Sequence, residues 1–448
     1  MRIFPMNRVL LTVATILCSS LFGLAQDTLT LSQAIKIGLE KNFSIRLARN
    51  SYSIAKNNNT LGNAGMLPRV EANGGWRLSA EEAEQVYKST GAVATDRTTN
   101  NLNGNVQLSW TLFDGFSMFV SKEMLGNLQA MSEQSLQIAV EDALASIVVA
   151  YHNVLVQQLL AQSFTSTTKL SHERLFVAKE RFAIGDGSQL QVRQAEVDLL
   201  ADSTNLLRQR NTVAEAKLYL NQLLGRSPST LFEVSSNSQS QSLLNTQDML
   251  TQIMQNNRTL AIERLQLSNS QLTIKDLQGD RYPRLNLTSG YNFSKSSYSP
   301  GDLESAKNFG PSIGLTASVT LFNGFNVSRS IANARIAAES KAINLEQMEV
   351  QLQSQALSYI NSFNLAQMLM QTEQTAVALA QQNLDVAMEK YRLGSISDIE
   401  LRDMQSRLIG AQARYLSAQL QLINAEVELQ TLSGTIINQF EQMLSNEE

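Results

Sequence analysis

Leu112-Phe-Asp-Gly-Phe116 returns as Leu321-Phe-Asn-Gly-Phe325, and Arg181-Phe-Ala-Ile-Gly185 returns as Lys390-Tyr-Arg-Leu-Gly394. Both pairs are 209 residues apart, and the same offset carries Gly225 onto Gly434. A unit of about half the chain is therefore duplicated, with a first structural repeat over 26–234 and a second over 235–448. Each copy runs in one order: a helical pattern, two alternating segments, one very long helical pattern, a glycine turn and a further helical pattern.

The segments that lead into these motifs alternate with the period of two that a strand requires. In Arg69 to Ser79, Val70, Ala72, Gly74, Trp76 and Leu78 share a face. In Leu102 to Leu112, Val106, Leu108, Trp110 and Leu112 do the same, against Asn103, Asn105, Gln107, Ser109 and Thr111. Leu285 to Ser294 and Ile313 to Phe322 repeat the pattern in the second copy, so hairpins are expected over 68–113 and 283–322. Each segment has about the 9–11 residues that a tilted outer-membrane strand needs. Trp76, Trp110, Phe113, Phe116, Phe322 and Phe325 stand near the ends, where lipid headgroups would lie. Four strands cannot close a barrel alone, because an open edge in lipid leaves backbone groups unpaired. Two copies would give eight strands, whose lumen side chains fill, whereas three would give twelve and leave a passage.

Helical periodicity without proline extends over 116–184 and again over 325–393. Sixty-nine residues at 1.5 Å each make about 100 Å. The remaining helical patterns, 30–66, 188–224, 246–282 and 397–433, are about half as long. Two placed end to end match one long helix. Chain order suggests that 188–224 continues into 246–282, and that 397–433 is continued by 30–66. Thr30-Leu-Ser-Gln33 reads as a capping box, and Gly185 and Gly394 stand where a helix needs a left-handed exit. The polar stretch 226–245 and the tail from Thr435 would form a collar at the helix joints.

Composition fits this layout: proline is scarce (6 in 448 residues) and aromatic content is 6%. Such a chain makes long helices with thin apolar stripes. Arg2 and Arg8, the apolar run from Val9 and Gly23-Leu24-Ala25 read as a secretory signal over 1–25. The single cysteine, Cys18, falls inside it, so neither a disulfide nor a lipid anchor is expected. Without Arg2 and Arg8 there remain 34 basic against 40 acidic residues, well mixed, which excludes a nucleic-acid-binding stripe. No later apolar run reads as a transmembrane helix, so a membrane would be crossed by strands. His152 and His172 are too far apart on one helix to share a metal, and Gly185-Asp186-Gly187 lacks the Lys and Ser/Thr of a phosphate loop. No cofactor and no enzymatic activity are expected.

One carboxylate pair stands out by position. Glu400 and Asp403 lie three apart, on one helix face, just after the turn at Gly394. In an oligomer they would stack as acidic rings that narrow a pore mouth or bind cations. A helix N-terminus also favours acids through its dipole, and the first copy has Gln191 and Gln194 at these positions.

The tandem repeat, the two strand hairpins, the Leu112–Phe116 and Leu321–Phe325 corners and the stretch Tyr391 to Gln405 together resemble the TolC family of outer-membrane efflux proteins. That resemblance implies an α+β membrane protein: a homotrimer whose twelve-stranded transmembrane β-barrel, four strands per chain, continues into a long α-helical barrel of coiled-coil helices. It implies the outer membrane of a Gram-negative bacterium, a tunnel through the periplasm, and a periplasmic membrane-fusion adaptor linking to an inner-membrane pump of RND or ABC type. It also implies a periplasmic gate of acidic rings at Glu400 and Asp403, with Tyr391 matching a tyrosine whose hydroxyl helps hold the closed tip. One family member carries an Arg near the tip where this chain has Ile396 and an Asp where it has Gln191, a departure that touches the tyrosine-centred lock and not the acidic constriction. The tips at Gly185, Asp186, Gly187 and Ser188, and at Gly394, Ser395, Ile396 and Ser397, are candidates for adaptor docking. The reading is an efflux exit duct driven by its partner. An exit duct of type I protein secretion would use the same fold, and a secreted rod-like coiled-coil scaffold is the rival of another class.

Overall fold

The computed structural model describes residues 28–87, 91–235, 246–299 and 304–445. The signal reading of 1–25 and the second half of the expected collar over 226–245 lie outside them. The helices are α1 (Leu31–Lys41), α2 (Phe43–Asn58), α3 (Ser117–Ala183), α4 (Gln189–Leu223), α5 (Thr246–Asn256), α6 (Arg258–Gly279), α7 (Asn326–Arg392), α8 (Asp398–Leu432) and α9 (Ile436–Ser445). The strands are β1 (Thr28–Leu29), β2 (Arg69–Tyr87), β3 (Gly91–Phe113), β4 (Glu233–Val234), β5 (Arg284–Ser299) and β6 (Ser305–Ser318).

The chain divides into two compact units, each assembled from both repeats. One holds 1–48, 137–258 and 351–448, the other 49–136 and 259–350. The second unit contains a four-stranded antiparallel sheet in the order β2-β3-β5-β6, which leaves one side of β2 and one side of β6 unpaired within the chain. The strands run to 19, 23, 16 and 14 residues, longer than the alternating segments suggested. Loop-side polar residues such as Thr98 and Ser299 extend the ladder, because backbone pairing needs no apolar side chain. At its other end β6 stops at Ser318, so Val319 to Phe322 are not strand.

In the first unit the core gathers Leu31, Ile35, Leu144, Ile147, Tyr151, Val154, Leu220, Leu224, Ile436 and Phe440. The Tyr151 hydroxyl lies 3.0 Å from the carbonyl of Leu29 and 3.1 Å from that of Ser235, beside the parallel β1-β4 pair. Burial raises its pKa to about 12, so it stays a neutral donor. Helix α3 includes a stretch long and apolar enough to cross a membrane, contrary to the sequence expectation. Slightly more than half of it is buried inside the molecule, and Leu144, Ile147, Val148, Tyr151 and Val154 of α3 supply this core.

Two of the expected helices are broken. The pattern over 30–66 splits at Asn42 and its helix ends at Asn58, and that over 246–282 splits at Asn257 and ends at Gly279. Asn42 explains its break: its backbone N–H closes α1 on Gly38, while its side-chain oxygen accepts from Ser44 and Ile45 to start α2. Apolar periodicity passes through such a splice unchanged, which hides it. The same asparagines correct the expected end-to-end pairing. Asn42 donates to the carbonyl of Leu223 at 2.8 Å, and Asn257 donates to that of Leu432 at 3.0 Å. Helix α4 therefore meets α2, and α8 meets α6, the reverse of the pairing that chain order suggests. Gly225 makes the first joint possible, since a Cβ there would sit 2.4 Å from the Lys41 carbonyl oxygen.

Candidate functional site at the helical turns

The turns that join α3 to α4 and α7 to α8 are built alike. Gly185 (φ 84°) and Gly394 (φ 76°) take the left-handed conformation that glycine adopts without strain. Their N–H groups return to Phe182 and Tyr391, while Asp186 and Ser395 donate to Arg181 and Lys390, which closes both long helices with a paired C-cap. The following helices start with matching capping boxes. Ser188 accepts from the Gln191 N–H at 3.3 Å and donates its own N–H to Gln191 Oε1 at 2.8 Å. Ser397 accepts from the Glu400 N–H at 3.3 Å, and donates its N–H at 2.8 Å and its hydroxyl at 2.9 Å to Glu400 Oε2.

Glu400 thus folds back on its own helix end. The Ser397 backbone N–H first, then its hydroxyl, hold the Glu400 carboxyl below its ordinary value of 4.5. Asp403 accepts from Arg407 at 2.7 Å, an exposed pair one turn apart. The two acids stay on one face, as their spacing requires, but each has its own partner. Gln191 caps Ser188. The tips Gly185, Asp186, Ser188, Gly394, Ser395 and Ser397 are exposed, whereas Gly187 and Ile396 are half-buried. Ile396 packs against the cluster of Leu384, Met388, Tyr391 and Leu401, which removes it from a free docking surface. Ile184, Leu190, Leu393 and Ile399 stand out instead.

Behind the turns lies a polar assembly that sequence reasoning missed. The Arg174 side chain is 0% exposed. It meets Asp398 in a fork, Nε to Oδ1 at 3.2 Å and Nη2 to Oδ2 at 2.6 Å, and also reaches Asp198 at 3.1 Å and Gln405 at 3.3 Å. Gln405 donates to Ser171 Oγ at 3.1 Å, Ser171 donates to Asp202 at 2.5 Å, and Arg402 forks onto both oxygens of Asp202 at 2.6 and 2.8 Å. Helices α3, α4 and α8 are therefore joined through buried charge. Planar guanidinium forks suit carboxylates, and removing one partner of such a buried pair costs about 3–5 kcal/mol because the other charge stays buried. The exposed Asp403–Arg407 pair is worth at most about 1 kcal/mol.

Tyr391 is only 4% exposed. Burial first, then the charge of Asp398, push its hydroxyl pKa up. The Arg181 guanidinium lies 5.2 Å from the Tyr391 ring centroid, and its Nη2 donates to the Tyr391 carbonyl at 2.5 Å. Tyr391, expected with Gln191 to support the gate, thus stands against Arg181, while Gln191 caps Ser188. A signal for the missed assembly exists in the sequence: Arg174 occupies a seam position between Leu170 and Val177, where an apolar residue belongs.

The predicted aromatic residues belong to the other unit. Phe113 and Phe116 stack edge to face at 5.1 Å, as do Phe322 and Phe325 at 5.4 Å. Phe116 and Phe325 themselves have positive φ, 74° and 62°, rare for a bulky residue and absent from the sequence reading of these corners. Trp76 Nε1 donates to Asn100 and Trp110 Nε1 to the Met66 carbonyl. Among the described residues no cluster of His, Cys, Asp or Glu is disposed to hold a metal ion.

A family profile described as outer membrane efflux protein matches residues 34–226 and 249–435. The chain is similar to the proteases secretion protein PrtF of Dickeya chrysanthemi, 20% identical over 96% of this chain and 93% of that one. It is also similar to the outer membrane protein TolC of Escherichia coli K12, 22% identical over 80% of this chain and 74% of that one. In fold it is similar to the CmeC outer membrane channel of Campylobacter jejuni, with a TM-score of 0.74 at 13% identity over 93% of this chain and 89% of that one. With both halves matched to one profile, the chain belongs to the outer membrane efflux protein family and serves as an outer-membrane channel, the exit duct of an efflux system.

Proposed function

We propose that three copies of this chain close a twelve-stranded barrel and a helical tunnel, and that the tunnel narrows at the turns around Gly185 and Gly394. One observation carries the reading: the four-stranded sheet ends in two unpaired edges, and its face bearing Val70, Trp76, Leu78, Val106, Ile313 and Leu315 is apolar and exposed. In lipid those edges must pair, and pairing with further copies is the route that leaves no edge.

On this reading a periplasmic membrane-fusion adaptor docks at the tips, where Ile184, Leu190, Leu393 and Ile399 offer apolar side chains beside the exposed turns. An inner-membrane pump of RND or ABC type supplies the energy. Glu400 and Asp403 form the acidic constriction, and Trp76, Trp110, Phe113, Phe116, Phe322 and Phe325 mark the membrane boundary. The similarity to PrtF, named for secretion of proteases, supports a second reading in which a protein substrate uses the same duct.

The test is single-channel conductance of purified protein in planar bilayers, with Glu400→Ala/Asp403→Ala as the comparison. A small wild-type conductance that rises about twofold or more in the double variant supports pore and constriction together. Equal conductances keep the duct and remove the constriction from the two acids. Folded protein that never conducts overturns the duct.

A further inference from the structure

The face of α8 that carries Glu400 and Asp403 stays polar along the helix. From Glu400 onward every exposed residue of α8 is polar. The neighbouring helices of the turns differ: α4 exposes Leu190, Val197, Leu200 and Leu207, and α7 exposes Leu379, Val386 and Leu393. An apolar stripe asks for a packing partner and a polar one suits water, so α8 is the helix that turns its free face to the passage. Arg407 stands on that face, four residues after Asp403 and seven after Glu400. Its Nε donates to Asp403 Oδ2 at 2.7 Å, and the two side chains are 68% and 50% exposed. Arg414, one heptad further, is engaged by Glu373 of α7 at 2.9 Å. Among the described residues Asp403 is the only acid within ion-pair distance of Arg407.

The first repeat shows what the fold itself asks of these positions. The offset of 209 sets Gln191, Gln194 and Asp198 against Glu400, Asp403 and Arg407. In both copies the second and third members meet across one turn: Gln194 reaches Asp198 at 3.4 Å, as Arg407 reaches Asp403. Asp198 is held by the buried Arg174, 3.1 Å away, whereas Arg407 stays at the surface. Each triplet nonetheless carries one net negative charge. A shared backbone thus presents two carboxylates on α8 together with a cation that offsets one of them. We infer that Arg407 is a specificity-determining residue of the duct: its guanidinium offsets Asp403, the constriction carries the net charge of Glu400, and small cations are preferred over anions only weakly. Pairs four residues apart on an exposed helix face act through charge, so removing the arginine returns Asp403 to the passage as a full negative charge. The inference rests on the proposed acidic constriction and names the residue that limits its selectivity.

Reversal potentials of purified full-length protein in planar bilayers test it, under a dilute potassium chloride gradient where screening is least. Arg407→Gln should raise the potassium-to-chloride permeability ratio about fourfold: one unit charge about 10 Å away in water changes each ion's local concentration about twofold, in opposite senses. Arg407→Lys should keep the parent ratio. Asp403→Asn/Arg407→Gln should return to it, because both charges leave together. Both side chains are exposed, and circular dichroism checks the fold of each variant. The inference is overturned if Arg407→Gln leaves the ratio unchanged while Glu400→Gln lowers it, an outcome that keeps the acidic constriction and removes Arg407 from it. It is overturned as well if Arg407→Lys behaves like Arg407→Gln, since the side chain then acts by shape. Should Glu400→Gln and Arg407→Gln both leave the ratio unchanged, the constriction itself is overturned together with the inference. Folded protein that never conducts overturns the duct.

Discussion

The turns at Gly185 and Gly394 share a backbone and differ in charge. Both close with a left-handed glycine, and both reopen with a serine-led capping box. In the first the returning side chain is neutral Gln191, in the second it is Glu400. Capping needs an acceptor at the third helical position, and Gln191 meets that need without a charge. Glu400 therefore brings to its turn a charge that the first turn folds without. Arg174 makes the opposite case. It sits behind both turns, binds Asp198 after the first and Asp398 after the second, and its charge is part of the packing.

Removing Arg174 should accordingly give the largest effect. Arg174→Met should destabilise the unit by about 3 kcal/mol, the lower end for a buried pair, because the half-buried Asp198 and Asp398 are left with no cation between them. Urea unfolding measures the loss. Adding Asp198→Asn and Asp398→Asn to the same chain should recover part of it, and no recovery would mean that shape, not charge, holds the three helices. The caps come next. Ser188→Ala and Ser397→Ala should each cost about 1 kcal/mol, since the two boxes share one geometry. Unequal losses would break the equivalence of the turns.

Glu400→Gln sharpens the comparison further, because it makes the second turn copy the first. Stability should stay within about 0.5 kcal/mol of the parent, as for surface substitutions that keep their hydrogen bonds. The preference of the channel for cations over anions should fall, and reversal potentials under a salt gradient measure it. A variant with unchanged selectivity would leave that charge without a role in conduction.

Much of this arrangement was readable before any coordinates. The long helices follow from unbroken periodicity over 116–184 and 325–393 and appear as 117–183 and 326–392. The turn glycines follow from their place at the ends of those patterns. The helix splices were hidden because Asn42 and Asn257 sit inside continuous apolar periodicity, and an asparagine cap acts through a hydrogen bond that composition does not reveal. The partner of each short helix was also undecidable from length alone, since all four patterns are about equally long, and chain order pointed the wrong way. The assembly around Arg174 escaped for another reason. Charged residues on helices usually face water, and only the seam position between Leu170 and Val177 marks this one as different.

The smallest effect separates the turns by pH. The folded pKa of Glu400 lies below its ordinary value of 4.5 because hydrogen bonds from Ser397 favour the carboxylate. A depressed pKa means that the charged cap contributes its full stability above the unfolded value and loses it as pH falls through the folded one. Gln191 has no such proton to gain. Amide hydrogen exchange at Ser397 and Glu400 should therefore lose protection, relative to Ser188 and Gln191, between neutral pH and a pH below 4.5, after correction for intrinsic exchange rates. Parallel loss at both turns would mean that acid loosens the shared tip by a route other than the Glu400 cap, and Glu400→Gln would then leave the acid loss in place.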